Sequence, residues 1–151
     1  MNEFKPFDDK LAGLIGALSP ASRRKLAAEI AKELRRSQQQ RIKQQKAPDG
    51  TLYQARKRQP LRAKKGRIKR AMFQKLRTSR YMKATSNDSA AIVEFNAKVQ
   101  RIAKVHQYGL REKPASDKAE VKYPSRILLG FNRADLSLIE RLIIEIITGW
   151  Q

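Results

Sequence analysis

Two stretches decide the fold: N-A-K-V-Q-R-I-A-K-V-H-Q-Y-G at residues 96–109 and V-K-Y-P-S-R-I-L-L-G-F at residues 121–131. The first predicts a short helix, because Asn96 is a good N-cap and Gly109 stands where a left-handed residue closes the last turn. Four positions at the spacing i, i+3, i+4, i+7 share one face of this helix: Val99, Ile102, Ala103 and His106.

The second stretch predicts a brief strand, Val121 to Tyr123, ended by Pro124 because proline has no N–H for the ladder. Residues 125–131 then lead into the C-terminal helix. Helix and strand therefore lie on either side of one polar loop. His106, the only histidine, lies between them, and we expect it to pack on the sheet and hydrogen-bond the loop.

Further elements follow outward from this segment. Residues 8–18 predict a short apolar helix, and Ser19 with Pro20 forms the N-cap and first position of a second helix. That helix is expected to run to about Lys46, where Ala47-Pro48 ends it. Pro48-Asp49-Gly50 is a strong turn signal, and residues 71–76 predict a short helix.

The second half of the chain predicts a hairpin and a helix. Residues 81–85 and 91–95 flank a polar turn at 87–89, with Ala91, Val93 and Phe95 alternating toward the core. Asn132 caps the C-terminal helix, with Asp135 as its capping-box partner. The sequence thus predicts an α+β fold: a small antiparallel sheet packed with a long N-terminal helix and a C-terminal helix, in one domain of residues 1–151.

The C-terminal helix carries an unusually broad apolar stripe. Leu138 and Ile144 fall outside the main stripe formed by Ile139, Leu142, Ile143 and Ile146. A small sheet cannot cover that much apolar surface, so the pattern predicts self-association.

The chain has a net charge of +20, and that charge is concentrated. Residues 23–83 hold 22 of the 34 Lys and Arg residues and only three acids, a net charge of +19. Within them, residues 47–70 are predicted to be a basic, flexible loop or arm. Its basic residues are Arg56, Lys57, Arg58, Arg62, Lys64, Lys65, Arg67, Lys69 and Arg70. Contact with nucleic acid, contact with an acidic protein surface, and a solvated arm all fit this pattern.

Composition and motifs exclude several other classes. The chain has no cysteine, and no HExxH spacing or phosphate-binding glycine loop is present. His106 has no sequence neighbour that suggests a nucleophile or an orienting acid. We therefore expect no catalysis, no cofactor and no metal. The N-terminus is not a signal peptide, and no stretch is long and apolar enough to cross a membrane, so a soluble protein is expected.

Five segments carry a family resemblance: L-S-P-A-S-R-R-K-L (18–26), S-Q-Q-Q-R-I followed by P-D-G (37–50), A-M-F-Q-K-L-R-T-S-R-Y (71–81), I-A-K-V-H-Q-Y-G-L (102–110) and Y-P-S-R-I-L-L-G-F (123–131). In this order they resemble the phage virion morphogenesis family, the tail-completion proteins of contractile-tailed phages. Each is weak alone, but their order is specific.

The resemblance implies a structural function late in tail assembly, at the tail end that joins the head, as a subunit of a ring. It implies tail and head-completion proteins as partners, passing contact with DNA, and a place in the tail or neck of the virion, with assembly in the host cytoplasm. On residues alone Arg126 could clamp a carboxylate or helix end, or lie exposed on a rim. The resemblance implies instead that Arg126, Gly130 and Phe131 are structural hinge residues. The competing function is a nucleic-acid-binding accessory protein that uses residues 51–70.

Overall fold

A computed structural model of the protein describes residues 5–56 and 71–149. The described helices are α1 Lys5–Gly16, α2 Pro20–Lys43, α3 Gln100–Tyr108 and α4 Arg133–Gly149. The described strands are β1 Met82–Ser86, β2 Ala91–Phe95, β3 Arg111–Glu112 and β4 Val121–Lys122. The α+β class is confirmed, with the strands distributed over two two-stranded sheets, β1–β2 and β3–β4. None of the described helices is long and apolar enough to cross a membrane.

The chain divides into two compact units. The first comprises the described residues of Met1–Ser37, Lys83–Glu94 and Phe131–Gln151, and the second comprises those of Gln38–Met82 and Phe95–Gly130. Helix α2 contributes residues up to Ser37 to the first unit and the remainder to the second.

The core of the first unit forms between α2 and α4. Its buried members at helical spacing are Leu26, Ile30 and Leu34 of α2 and Leu142, Ile143 and Ile146 of α4. Ala91 and Val93 of β2 pack against this core, so the predicted alternation of the strand is confirmed. Each large side chain buried in this way contributes about 1.5–3 kcal/mol of hydrophobic stabilisation.

One expectation about α4 is wrong. Leu138 packs against the core and does not lie outside the stripe, because it stands one helical turn before the buried Leu142. The residues that widen the stripe are Ile144 and Ile147, which are 45% and 46% exposed. Their three-residue spacing places them on one side of the helix.

Local signals at the helix ends of the first unit are confirmed. The Ser22 N–H donates to Ser19 Oγ over 3.2 Å, so Ser19 caps α2 as predicted. At the start of α4, Asp135 N–H donates to Asn132 Oδ1 over 2.9 Å and Asn132 N–H donates to Asp135 Oδ2 over 3.1 Å. This reciprocal pair is the predicted capping box, which fixes where α4 begins.

Three predicted boundaries in the second unit are wrong. Helix α2 ends at Lys43, because Gln45 adopts a φ of 60° and Lys46 pairs with Leu52. Residues 71–76 form turns instead of a helix, because Phe73 has a φ of 67° that no right-handed helix accepts. Helix α3 begins at Gln100 after Val99; Asn96 does not cap it, since its side-chain amide donates to the Arg80 carbonyl.

The end of α3 matches the sequence, whereas β4 ends at Lys122, one residue before the predicted end, and β3 lies within the predicted polar loop. Gly109 has φ 64° and ψ 54°, and its N–H donates to the Val105 carbonyl, so it closes α3 as predicted. Strands β3 and β4 pair antiparallel, with Arg111 opposite Lys122 and Glu112 opposite Val121. The predicted turn at Pro48-Asp49-Gly50 is also present: Gly50 has a φ of 88° and donates to the Ala47 carbonyl.

Candidate functional site

Arg126 of the second unit joins three segments of that unit. Its backbone N–H donates to the His106 carbonyl at 2.7 Å, and its side chain is only 5% exposed. The guanidinium Nε donates to the Gln54 carbonyl at 2.8 Å, and Nη2 lies 3.4 Å from the Ala55 carbonyl. The interpretation as an exposed rim arginine is therefore wrong. The side chain instead clamps backbone carbonyls, close to where the basic segment begins.

His106 lies in a row of rings. The His106 and Phe73 ring centroids are 4.9 Å apart with an interplanar angle of 71°, and those of His106 and Tyr123 are 5.2 Å apart at 68°. Tyr53 continues the row, with its ring 5.6 Å from that of Phe73 at 88°. Edge-to-face packing of this kind stabilises ring pairs beyond their buried area.

The electrostatics of this row keep His106 neutral. Burial, followed by the positive charges of Arg126 and Arg56, lowers the pKa of His106 from 6.5 to about 4. Nδ1 of the ring lies 3.5 Å from Nη1 of Arg126, so a proton on Nε2 leaves Nδ1 free to face the cation. Burial also lowers the pKa of the Arg126 guanidinium, with Arg56 as the second cause. In the described residues no carboxylate or serine hydroxyl hydrogen-bonds His106, which gives it no acid–base chain.

Phe73 is held in a strained conformation by Gln45. A bulky residue at φ 67° is an outlier that persists only where neighbours enforce it. Gln45 Oε1 accepts from the Met72 N–H over 2.7 Å, and its Nε2 donates to the Met72 carbonyl over 2.9 Å. This pair of hydrogen bonds fixes the backbone before Phe73 and thereby aims its ring at His106.

Side-chain amides hold the segment after Arg126. Gln107 Oε1 accepts from the N–H groups of Leu128 and Leu129, at 2.8 and 3.0 Å, and its Nε2 donates to the Leu129 carbonyl. Gln38 Oε1 accepts from the Gly130 N–H, and Arg41 Nη2 donates to the Gly130 carbonyl at 2.9 Å. The Ile127 carbonyl accepts from the Tyr53 hydroxyl at 2.9 Å. These bonds satisfy backbone groups that have no ladder partner.

Most of these amide contacts have no counterpart among the expectations drawn from the sequence. The glutamine-rich composition of residues 38–45 is typical of a polar helix face, yet Gln38 is 4% exposed. A signal existed, because Leu34, Gln38 and Ile42 continue one stripe at four-residue spacing. Gln45 and Gln107 carried no comparable pattern.

Two glycines in the predicted motif are sterically required. A Cβ on Gly109 would lie 2.9 Å from the Ser125 nitrogen and 3.1 Å from the Tyr123 carbonyl oxygen. A Cβ on Gly130 would lie 2.7 Å from Cγ of Pro48. The turn at Pro48 thus packs directly on the segment that begins at Arg126. Of the other predicted motif residues, Pro124 is half-buried and Phe131 is exposed. A hinge role for Arg126, Gly130 and Phe131 stays a prediction.

A groove of about 800 Å³ opens beside the ring row. Its described lining comes from the second unit: Gln54, Ala55, Arg56, Ala71, Met72, Phe73, Gln74, Lys75, Leu76, Ile102, His106, Pro114, Val121, Lys122, Tyr123, Pro124 and Arg126. Of the predicted basic set, Arg56 lines this groove. The others, from Lys57 to Arg70, lie outside the described residues. No cluster of three or more potential metal ligands occurs in the part of the chain that the structure describes.

The pH dependence of stability tests the neutral state of His106. The unfolded histidine takes up its proton near pH 6.5, and the folded one only near pH 4. The unfolded state therefore binds more protons in this window, and the free energy of unfolding falls as the pH drops from 6.5 to 4. We expect about 1–2 kcal/mol from His106, less than the full shift implies because the ring is only half-buried.

Urea denaturation at pH 4.5 and pH 7.5, for wild type and His106→Asn, measures this contribution. The free energy of unfolding should change less between the two pH values in the variant, because the variant lacks the contribution of His106. Carboxylates that titrate in the same window affect both proteins equally and therefore cancel in the comparison. The variant should also support assembly within a few-fold of wild type. Equal pH dependence in the two proteins, or complete loss of function in a folded variant, would contradict the structural role.

Comparisons with known proteins identify the family of this chain. A sequence model of the phage virion morphogenesis family matches residues 2–148. The chain is 51% identical over 145 residues to tail completion protein S of Escherichia phage P2, a match that covers 95% of this chain and 97% of that protein. No solved structure matches the chain. The chain therefore belongs to the phage virion morphogenesis family.

Proposed function

We propose that the protein completes the phage tail at its head-proximal end, where it joins the tail to the head as a structural ring subunit. The identity of 51% to a tail completion protein, over nearly the full length of both chains, carries this proposal. The proposal includes no catalytic step and no cofactor. Membership of a family of structural phage morphogenesis proteins supports this part of the proposal.

The proposed partners are tail proteins, head-completion proteins and further copies of this chain. DNA would contact the ring only in passing, because tight binding would hinder its passage. The protein would assemble in the host cytoplasm and remain at the neck of the virion.

Deletion of the gene from a phage that carries it tests the function. Electron microscopy of the lysate should show filled heads and separate or unfinished tails, and adding purified protein should restore joined particles. Normal joined particles in the absence of the protein would overturn the proposal.

The exposed pair Ile144 and Ile147 supports the ring. Two large apolar side chains on one side of α4, each nearly half exposed, form a surface that a second copy can cover. Burying the exposed half of each would contribute about 1 kcal/mol to association.

Replacing Ile144 and Ile147 by Lys should convert oligomers to monomers in native mass measurements. Because both residues are exposed, the circular dichroism and thermal midpoint should stay near those of wild type. The matched control replaces Leu52 and Tyr108, 67% and 65% exposed, by Lys and should keep the oligomer. If the wild type is monomeric at high concentration and also in complex with tail proteins, Ile144 and Ile147 do not form a surface for self-association.

The second candidate function is nucleic-acid binding through residues 51–70, and the charge of +19 over residues 23–83 favours it. It predicts sub-micromolar binding of duplex DNA by the protein at physiological salt, with affinity that falls steeply as salt rises. Weak binding under those conditions would leave tail completion as the better account.

A further inference from the structure

The groove of the second unit has partly apolar walls. Phe73, Leu76, Ile102, Val121 and Tyr123 all contribute to its walls. Ile102 is 54% exposed, although its neighbour Ala103 on α3 is buried. An isoleucine of α3 left open in a concave surface indicates a site that another molecule covers.

The charges around the groove have one sign. The charged side chains in its described lining are Arg56, Lys75, Lys122 and Arg126, and no carboxylate is among them. The buried guanidinium of Arg126 has three neighbouring acceptors, all of them neutral. The Gln54 carbonyl lies at 2.8 Å, but the Ala55 carbonyl and the His106 imidazole lie at 3.4 and 3.5 Å. A carboxylate accepts more strongly than any of these groups, particularly from arginine.

We propose that this groove binds an acidic, apolar peptide segment of another tail-assembly protein, with a large apolar side chain in the groove and a neighbouring carboxylate near Arg56, Lys122 and Arg126. This inference rests on the proposed function, which supplies the class of partner. Charge complementarity selects the carboxylate, and the half-exposed aliphatic side chain of Ile102 favours a peptide, whose apolar side chain can cover it.

Reconstitution with tails made without the protein tests the docking surface. Ile102→Glu adds a negative charge to the groove and should reduce co-sedimentation with tails at least about tenfold, since like charges then meet. Tyr108→Glu makes a matched change on the same helix, outside the groove, and should bind as wild type. If Ile102→Glu binds as wild type, the groove is not the docking site. Failure of wild type itself to restore joined particles would instead overturn the proposed function.

The single histidine gives a second readout on the wild-type protein. His106 faces Arg126 and Arg56 as charged groups and Tyr123 and Phe73 as rings. The probe is a capped hexapeptide with two glutamates beside a phenylalanine, compared by NMR with the same peptide carrying glutamines. At pH 7 the glutamate peptide should shift the ring signals of His106 and bind at least about tenfold more tightly than the glutamine peptide, because only its ionised carboxylates pair with the cations of the groove.

Equally tight binding of the glutamine peptide, or no shift of the His106 signals with either peptide, would overturn the proposal. So would tighter binding by a thymidine oligonucleotide of comparable charge at physiological salt, which would assign the groove to nucleic acid.

Discussion

Replacing Gly109 by alanine is expected to lower the free energy of unfolding by about 3 kcal/mol. Two costs combine at this position. A φ of 64° is left-handed, which any residue with a Cβ adopts at a cost of about 1 kcal/mol or more. The new methyl would also lie 2.9 Å from the Ser125 nitrogen and 3.1 Å from the Tyr123 carbonyl, and backbone atoms move less easily than the end of a flexible side chain.

Gly50→Ala is the matched control, because it separates the two costs. Gly50 has a φ of 88°, but a Cβ there meets nothing within 4 Å. We expect a loss of about 1 kcal/mol in this variant. Urea denaturation of both variants measures the difference. Equal losses in the two would contradict the close approach of residues 123–125 to the end of α3.

Neutralising the basic segment is expected to have the largest effect on assembly. The variant replaces five residues by Gln: Lys64, Lys65, Arg67, Lys69 and Arg70. If each charge contributes about 0.5–1 kcal/mol to docking on an acidic surface, the loss is about 3 kcal/mol, or on the order of 100-fold in affinity. Infectious yield should then fall by a similar factor.

Electron microscopy distinguishes the two roles proposed for this segment. Docking predicts tails that accumulate unfinished or without joined heads. A role in lining a channel for DNA predicts joined particles that deliver DNA poorly, because phosphate contacts there are weak and independent of sequence. We favour docking.

A control variant with the same change in net charge tests whether the effect depends on where the charges lie in the chain. It replaces five exposed basic residues elsewhere by Gln: Lys98, Lys104, Arg111, Lys113 and Lys118. This control should assemble as wild type. If the segment variant also assembles and infects as wild type, neither role survives.

The sequence correctly predicted the helix ends that are determined by neighbouring residues. Ser19, Gly109 and the Asn132–Asp135 pair each act within a few residues of chain, so their sequence patterns sufficed. The boundaries that failed depend on distant partners. Residues 71–76 have a helical pattern, but Phe73 adopts a left-handed conformation next to Met72, whose backbone is bound by Gln45, 27 positions before Met72.

The candidate site shows the same division. Sequence singled out His106 and Arg126 as residue types that need partners. It could not supply those partners, because the ring of Phe73 and the carbonyls of Gln54 and Ala55 reach them only through the fold. The groove itself depends on segments as far apart as residues 54 and 126, so no spacing in the sequence predicts it.

Gold-labelled antibodies against the protein, applied to finished virions and to free completed tails, test the central proposal most directly. The account predicts label at the end of the tail that meets the head. Label at the opposite end of the tail or along its shaft would contradict the account. So would the absence of label from particles that contain intact protein.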